Sequence, residues 1–117
     1  MKISELKNAP KWLIEANTEN ADVEMDDGIV VWRGGDWRGG VWRGEKCKNN
    51  LLNVLGLKWP ITISDTRMQI GCELHSFTDW EFFDDARIVQ MDRGALKFWN
   101  NNKFALMALC EIHEARK

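Results

Sequence analysis

The 117-residue chain has no tyrosine, only two histidines, an odd number of cysteines and only a slight acidic excess, its formal net charge being −2. Each shortage excludes something. So even a charge balance gives no global drive onto nucleic acid or a membrane surface. No apolar run approaches the roughly 20 residues of a membrane-spanning helix. Three cysteines, Cys47, Cys72 and Cys110, do not make the even-numbered framework of a small oxidised scaffold. The opening residues, Met1-Lys-Ile-Ser-Glu-Leu-Lys7, lack the apolar centre of a secretory leader. The expectation is a protein of the cytoplasm with reduced thiols. Also missing are a P-loop, a GxGxxG turn and a nucleophile elbow.

What is present is tryptophan, seven residues of it beside five phenylalanines, a balance that favours heavy, dry packing. Three of the seven recur at a spacing of five in Trp32-Arg-Gly-Gly-Asp-Trp37-Arg-Gly-Gly-Val-Trp42-Arg-Gly44. Five matches neither the 3.6-residue period of a helix nor the two-residue period of a strand. It suits a chain that turns a corner after each short extended segment, with Gly34-Gly35 and Gly39-Gly40 at the corners. The repeat resembles the pentapeptide-repeat class of right-handed β-helix. That resemblance pairs Val30 with Trp32, Gly35 with Trp37 and Gly40 with Trp42 on an inward face, and three units fall short of one four-sided coil.

Two roles suit Trp32, Trp37 and Trp42. They are core residues with Arg33, Arg38 and Arg43 solvated behind them, or they offer ring faces beside guanidinium groups to a nucleotide or a partner protein. Self-association through an open coil end is a third outcome, which makes a homo-oligomer an expectation. From Trp32 to Lys48 five basic residues oppose two acidic ones, leaving a mildly basic island on an acidic chain. That island suits a small anionic or acidic partner and is too sparse for duplex DNA.

Around the repeat, residues 3–17 read as helical with a break at Ala9-Pro10, Pro10 opening a second helix over 10–16. Residues 21–25 alternate as a strand, Asp26-Asp27-Gly28 is a hairpin turn, and 29–32 return into the repeat. A polar loop over 45–50 leads to an irregular strand within 51–59. Residues 61–63 and 67–70 form a hairpin around Ser64-Asp65-Thr66. Beyond it the chain reads as helical. Thr78 caps a first helix, Asp84-Asp85 start a second that reaches about Met91, and a last helix runs from Ala95 to about Ala115. The fold class expected is α+β, a short β-helix-like or stacked β-hairpin core with an N-terminal helix and a C-terminal helical cap. The whole reads as one domain: lead-in 1–20, hairpin and repeat 21–45, irregular strand and β-hairpin 46–77, cap 78–117.

Trp59-Pro60, Ile61-Thr-Ile-Ser-Asp65, Met68-Gln-Ile-Gly-Cys72, His75, Trp80, Ala95-Leu96 and Phe98-Trp99 resemble the tail of small hypothetical proteins from bacteriophages and prophages. The similarity spans about two thirds of the chain, and Ile-Gly-Cys-x-x-His followed by tryptophan is its most specific part. The resemblance carries over no catalytic residue. It implies a viral accessory protein in the bacterial host cell. By analogy such a protein is a counter-defence factor that binds rather than catalyses, either occluding a host protein or sequestering a nucleotide signal.

One tetrapeptide pattern occurs twice, as Cys72-Glu-Leu-His75 and Cys110-Glu-Ile-His113. Two cysteines and two histidines make a closed tetrahedral zinc site when they converge. Otherwise the cysteines are small core residues, His75 satisfies a turn, and His113 suits a helix C-terminus. A cysteine nucleophile would combine Cys72 and His75 with Asp65 or Asp79, but a three-residue separation seldom orients such a pair. Asp79, Glu81, Asp84 and Asp85 are accounted for as helix caps and a solvated face.

Overall fold

The turn Asp27-Gly28 sets the first half of the molecule. Both residues have positive φ, 50° and 77°, the two-residue geometry whose twist matches flanking antiparallel strands. It joins β1 (Asn17–Asp26) to β2 (Ile29–Gly39). The computed structural model describes residues 1–47 and 51–114; Lys48 of the basic island, the end of the expected polar loop, and the last helix's expected end at Ala115 lie outside the described residues.

The five-residue period has a different cause from the one expected. Across β1 and β2 the register pairs Val23 with Trp32 and Asp22 with Gly34, so Arg33 is an extra residue on β2. Thr18 pairs with Trp37 and Asn17 with Gly39, so Arg38 is a second extra residue. On β1, Glu19 and Asp22 face Asp36 and Gly34, which leaves Asn20 and Ala21 opposite Gly35 alone. Each five-residue unit thus spends one residue on a bulge, and the remaining even count returns tryptophan to the same face. Gly35 (φ +91°) is required here, because a Cβ would run into the Asn20 carbonyl.

The third unit does something else. Trp42 ends β3 (Val41–Trp42), and Arg43-Gly44, both at positive φ, turn the chain into β4 (Glu45–Lys46). The repeat therefore forms antiparallel hairpins. The β-helical coil is not what these residues build, because the extra residues are absorbed as bulges and no corner follows each unit.

Ahead of the hairpin lie a short 3₁₀ turn (Ile3–Glu5) and α1 (Lys11–Glu15), with Pro10 as the residue before the helix. Residues 17–20, expected in the helical lead-in, belong to β1. Leu13 of α1 packs with Val23, Val30, Trp32, Trp37, Trp42 and Leu51 in one buried cluster.

The second half is an antiparallel meander, β5 (Leu52–Val54), β6 (Ile61–Ile63), β7 (Arg67–Ile70) and β8 (Glu73–Ser76), in sequence order. β8 replaces the helical reading that began after Ile70. Ser76, not Thr78, caps α2 (Phe77–Phe82), its Oγ accepting from the Asp79 amide at 3.0 Å. Asp84 caps α3 (Asp85–Val89) in the same way. The long α4 (Ala95–Glu114) lays Phe98, Trp99, Leu106 and Cys110 on Ile61, Ile63, Met68 and Ile70. Among the described residues this gives an α+β structure of eight strands in antiparallel sheets with four helices. No helix of the described residues is long and apolar enough to cross a membrane.

Polar side chains join the two clusters. Glu45 accepts from Ser64 Oγ at 2.6 Å, Thr66 Oγ1 at 2.9 Å and Arg67 Nε at 3.1 Å. Arg67 also donates to the carbonyls of Trp42 and Arg43. Buried Gln69 donates to the Val30 carbonyl at 2.8 Å and accepts from Arg43. The hairpin of the third unit is thereby fastened to the β6–β7 turn.

Candidate functional site

The residues of the repeat are the first to place. Trp32, Trp37 and Trp42 are buried, at 1%, 4% and 0% exposure. Their rings step edge-to-face, with centroids 5.8 Å apart for Trp32–Trp37 and 5.6 Å for Trp37–Trp42, and Trp12 extends the series at 5.2 Å. This is the favoured arrangement of aromatic quadrupoles. It also corrects the expectation of a stacking platform, because the three rings are taken up by one another and by Trp12 inside the first cluster.

The arginines that follow them part company. Arg33 donates to Glu24 at 2.8 Å, and Arg38 is bonded to Glu19. Both pairs lie on the exposed face of the first hairpin, each joining a bulge residue to the opposite strand. Arg43 is half-buried at its turn, and burial, with Arg67 close by, holds its guanidinium below the ordinary arginine value. Two paired arginines and one engaged in docking do not make a shared anion-binding row.

The two Cys-Glu-x-His segments do not meet as a metal centre. Among the described residues no group of three or more His, Cys, Asp or Glu side chains comes together to hold an ion. Cys72 lies in the β7–β8 turn and His75 within β8. His75 bonds Glu73 at 2.8 Å, its ring packed edge-on to Trp80 and Phe83. Cys110, buried on α4, donates to Met68 Sδ at 3.7 Å, and His113 is buried on the same helix. Burial pushes the Cys110 thiol up to about 12. The Cys72 thiol is raised by burial and then by Asp26 and Glu73. A metal ligand or a nucleophile needs the thiolate. The negative surroundings of Cys72 therefore disfavour it as a thiolate nucleophile.

That same electrostatic setting marks the site the sequence reading missed. The tip of the β1–β2 hairpin reaches the second half of the molecule, and between them lies a pocket of about 200 Å³. Its inner wall is aromatic. Buried Trp80, Phe98 and Trp99 line it together with half-buried Trp59. Trp80 and Trp99 sit 5.1 Å apart with planes tilted by 43°, and Trp59 meets Phe98 edge-to-face at 5.1 Å. The Trp80 indole is fixed by donating to the Met68 carbonyl at 2.7 Å. The Trp99 N–H is buried without an acceptor among the described residues.

The lining also includes four carboxylates: Asp26 and Asp27 from the hairpin tip, Glu73 from β8, and Asp92 from the segment before α4. Asp26, Asp27 and Asp92 are exposed, so negative charge stands at the rim and aromatic surface behind it. Glu73 is shared with His75 and, at 3.9 Å, with Arg87. Asp26 and Asp27 make no ion pair among the described residues. Two cations already lie against rings of this wall: Lys58 Nζ is 4.7 Å from the Trp59 centroid and Lys103 Nζ 5.9 Å from that of Trp99. Carboxylates beside aromatic faces attract a positive group both by charge and by the ring quadrupole.

No single stretch of sequence announces this pocket. Its residues come from positions 26–27, 59, 70–73, 80 and 88–99. Asp26-Asp27 reads as turn chemistry, Trp59 as the end of the irregular strand, Trp80 as part of the Thr78-capped helix and Trp99 as part of the last helix's apolar stripe. The chain matches no protein-family model, no curated protein and no solved structure.

Proposed function

We propose that the protein is a non-enzymatic binding protein that takes a basic side chain of a partner protein into the acidic aromatic pocket. The observation that carries this reading is the pair of carboxylates without an ion-pair partner among the described residues, Asp26 and Asp27, standing over a wall of four aromatic rings. Size supports a side chain over a larger ligand. About 200 Å³ lies below the roughly 300–1,000 Å³ of typical small-molecule sites, yet it accommodates a guanidinium or ammonium head. Phosphate would be repelled by the rim, so the nucleotide-sequestering alternative is less well supported than a protein partner. The protonated thiols and the Glu73-bound His75 favour binding over catalysis.

In the setting that the phage resemblance implies, the partner is a host bacterial protein, and the role is counter-defence by occlusion in the host cytoplasm. The test is a titration followed by tryptophan fluorescence, using arginine- and lysine-bearing peptides, glutamine-substituted counterparts and an adenine nucleotide. The basic peptides should bind, with affinity that falls as salt rises and falls about tenfold or more in an Asp26→Asn/Asp27→Asn variant. Equal binding of the glutamine peptides, or binding of the nucleotide in their place, overturns the reading.

A further inference from the structure

α4 has two faces. One is buried against the second sheet, and the other carries Phe104, 93% exposed and the most exposed large apolar residue of the described chain. Phe104 is not a lone exposed ring: Ala108 and Ile112, one and two helical turns on, are exposed as well, so α4 presents an apolar strip of the kind that marks an interaction surface. The residues around Phe104 identify what covers it. Lys97 and Glu111 are exposed and each stands seven residues from Phe104, two helical turns away on either side. Neither makes an ion pair among the described residues.

We infer that α4 pairs antiparallel with α4 of a second copy of this chain, about a two-fold axis that passes at Phe104. The spacing makes the surface complementary to itself. With the axis at Phe104, Lys97 of one copy lies over Glu111 of the other, and the contact occurs twice, as an isologous interface requires. The two charges stand roughly 10 Å from Phe104 along the helix, at 1.5 Å per residue. A parallel arrangement would instead oppose lysine to lysine and glutamate to glutamate. Room for the ring exists. A groove of about 720 Å³ runs beside Phe104 between α4 and α2, with Met107, Ala108 and Phe77 among its lining residues. It receives Phe104 of the other copy. This interface lies on α4's outer face and does not depend on the occupant of the acidic pocket.

The test is sedimentation equilibrium of the full chain over a range of concentrations. The parent should be a reversible dimer. Phe104→Ala should weaken it by about thirtyfold or more, with an unchanged circular dichroism spectrum, since the side chain is exposed. Lys97→Glu and Glu111→Lys, each alone, should weaken self-pairing by about tenfold, because each places like charges opposite one another. Mixing those two variants should restore the dimer as a heterodimer. At one end the introduced glutamate then meets the introduced lysine, and at the other the native Lys97 meets the native Glu111. A parent that stays monomeric at about 1 mM overturns the inference. So does a dimer that ignores Phe104→Ala, a dimer that forms by another surface of the chain, or a pair of charge variants that fails to recombine.

Discussion

Replacing Arg67 by methionine should cost far more than replacing either paired arginine of the repeat, although all three are arginines bonded to a glutamate. Arg67 gives one hydrogen bond to Glu45 at 3.1 Å and two to the carbonyls of Trp42 and Arg43 at 2.8 and 3.0 Å. Its side chain is 25% exposed and that of Glu45 15%. A hydrogen bond to a charged group contributes about 1.5–3 kcal/mol, and a partly buried glutamate left without its partner adds a desolvation cost. Water reaches part of the site and will replace some of these bonds. The expected loss for Arg67→Met is therefore about 3–5 kcal/mol, with methionine keeping the alkyl packing. Arg33→Met removes a pair that is nearly half exposed on both sides and should cost below about 1 kcal/mol. Urea unfolding followed by tryptophan fluorescence and by far-ultraviolet circular dichroism measures both. A cycle with Glu45→Gln should give a coupling of about 1–3 kcal/mol. If Arg67→Met loses under about 1 kcal/mol, well short of the loss of several charged hydrogen bonds, the two halves are not fastened through Glu45 and Arg67.

Three further outcomes follow from the same geometry. Gly35→Ala should destabilise by more than about 2 kcal/mol, since it combines positive φ with a collision against Asn20; Gly28→Ala, with open space around it, should cost only about 1–2 kcal/mol, and equal losses in urea titrations would refute the bulge assignment. Trp37→Ala should cost about 3–5 kcal/mol as a buried aromatic truncation, and a variant that unfolds at the parent's urea concentration would return Trp37 to the surface. Cys110 should resist iodoacetamide at pH 8, where a thiol raised to about 12 is roughly one part in ten thousand thiolate. The sign extends to stability: because the folded value lies above the ordinary 9.0, the contribution of the neutral thiol is complete below about pH 9 and is lost as pH climbs toward 12. Labelling of native Cys110 as fast as in the unfolded chain would contradict this.

How much was legible depended on whether local chemistry decided the outcome. Asp27-Gly28 and the strands Ile61–Ile63 and Arg67–Ile70 follow from turn residues and alternation, and they stand where the sequence places them. The last helix follows from its apolar stripe. The five-residue spacing is plain in the sequence, but spacing alone does not distinguish a corner from a bulge. Only the opposite strand does, through Asn20 and Ala21 facing Gly35. β8 was hidden because Glu-Leu-His-Ser carries no strong preference and its pairing with β7 is a tertiary event. The pocket was illegible for the same reason: a hairpin tip is carried onto a wall built from residues 59–99, far along the chain.

The central claim, a basic side chain held in the acidic aromatic pocket, is tested most directly by the seven tryptophan indole signals in a ¹⁵N–¹H correlation spectrum. An arginine-bearing peptide is titrated into the labelled protein, with a glutamine counterpart as control. The pocket account predicts shifts in the signals of Trp59, Trp80 and Trp99, while Trp12, Trp32, Trp37 and Trp42 of the first cluster stay in place. Shifts confined to the repeat tryptophans, or no shift at saturating peptide, would contradict it.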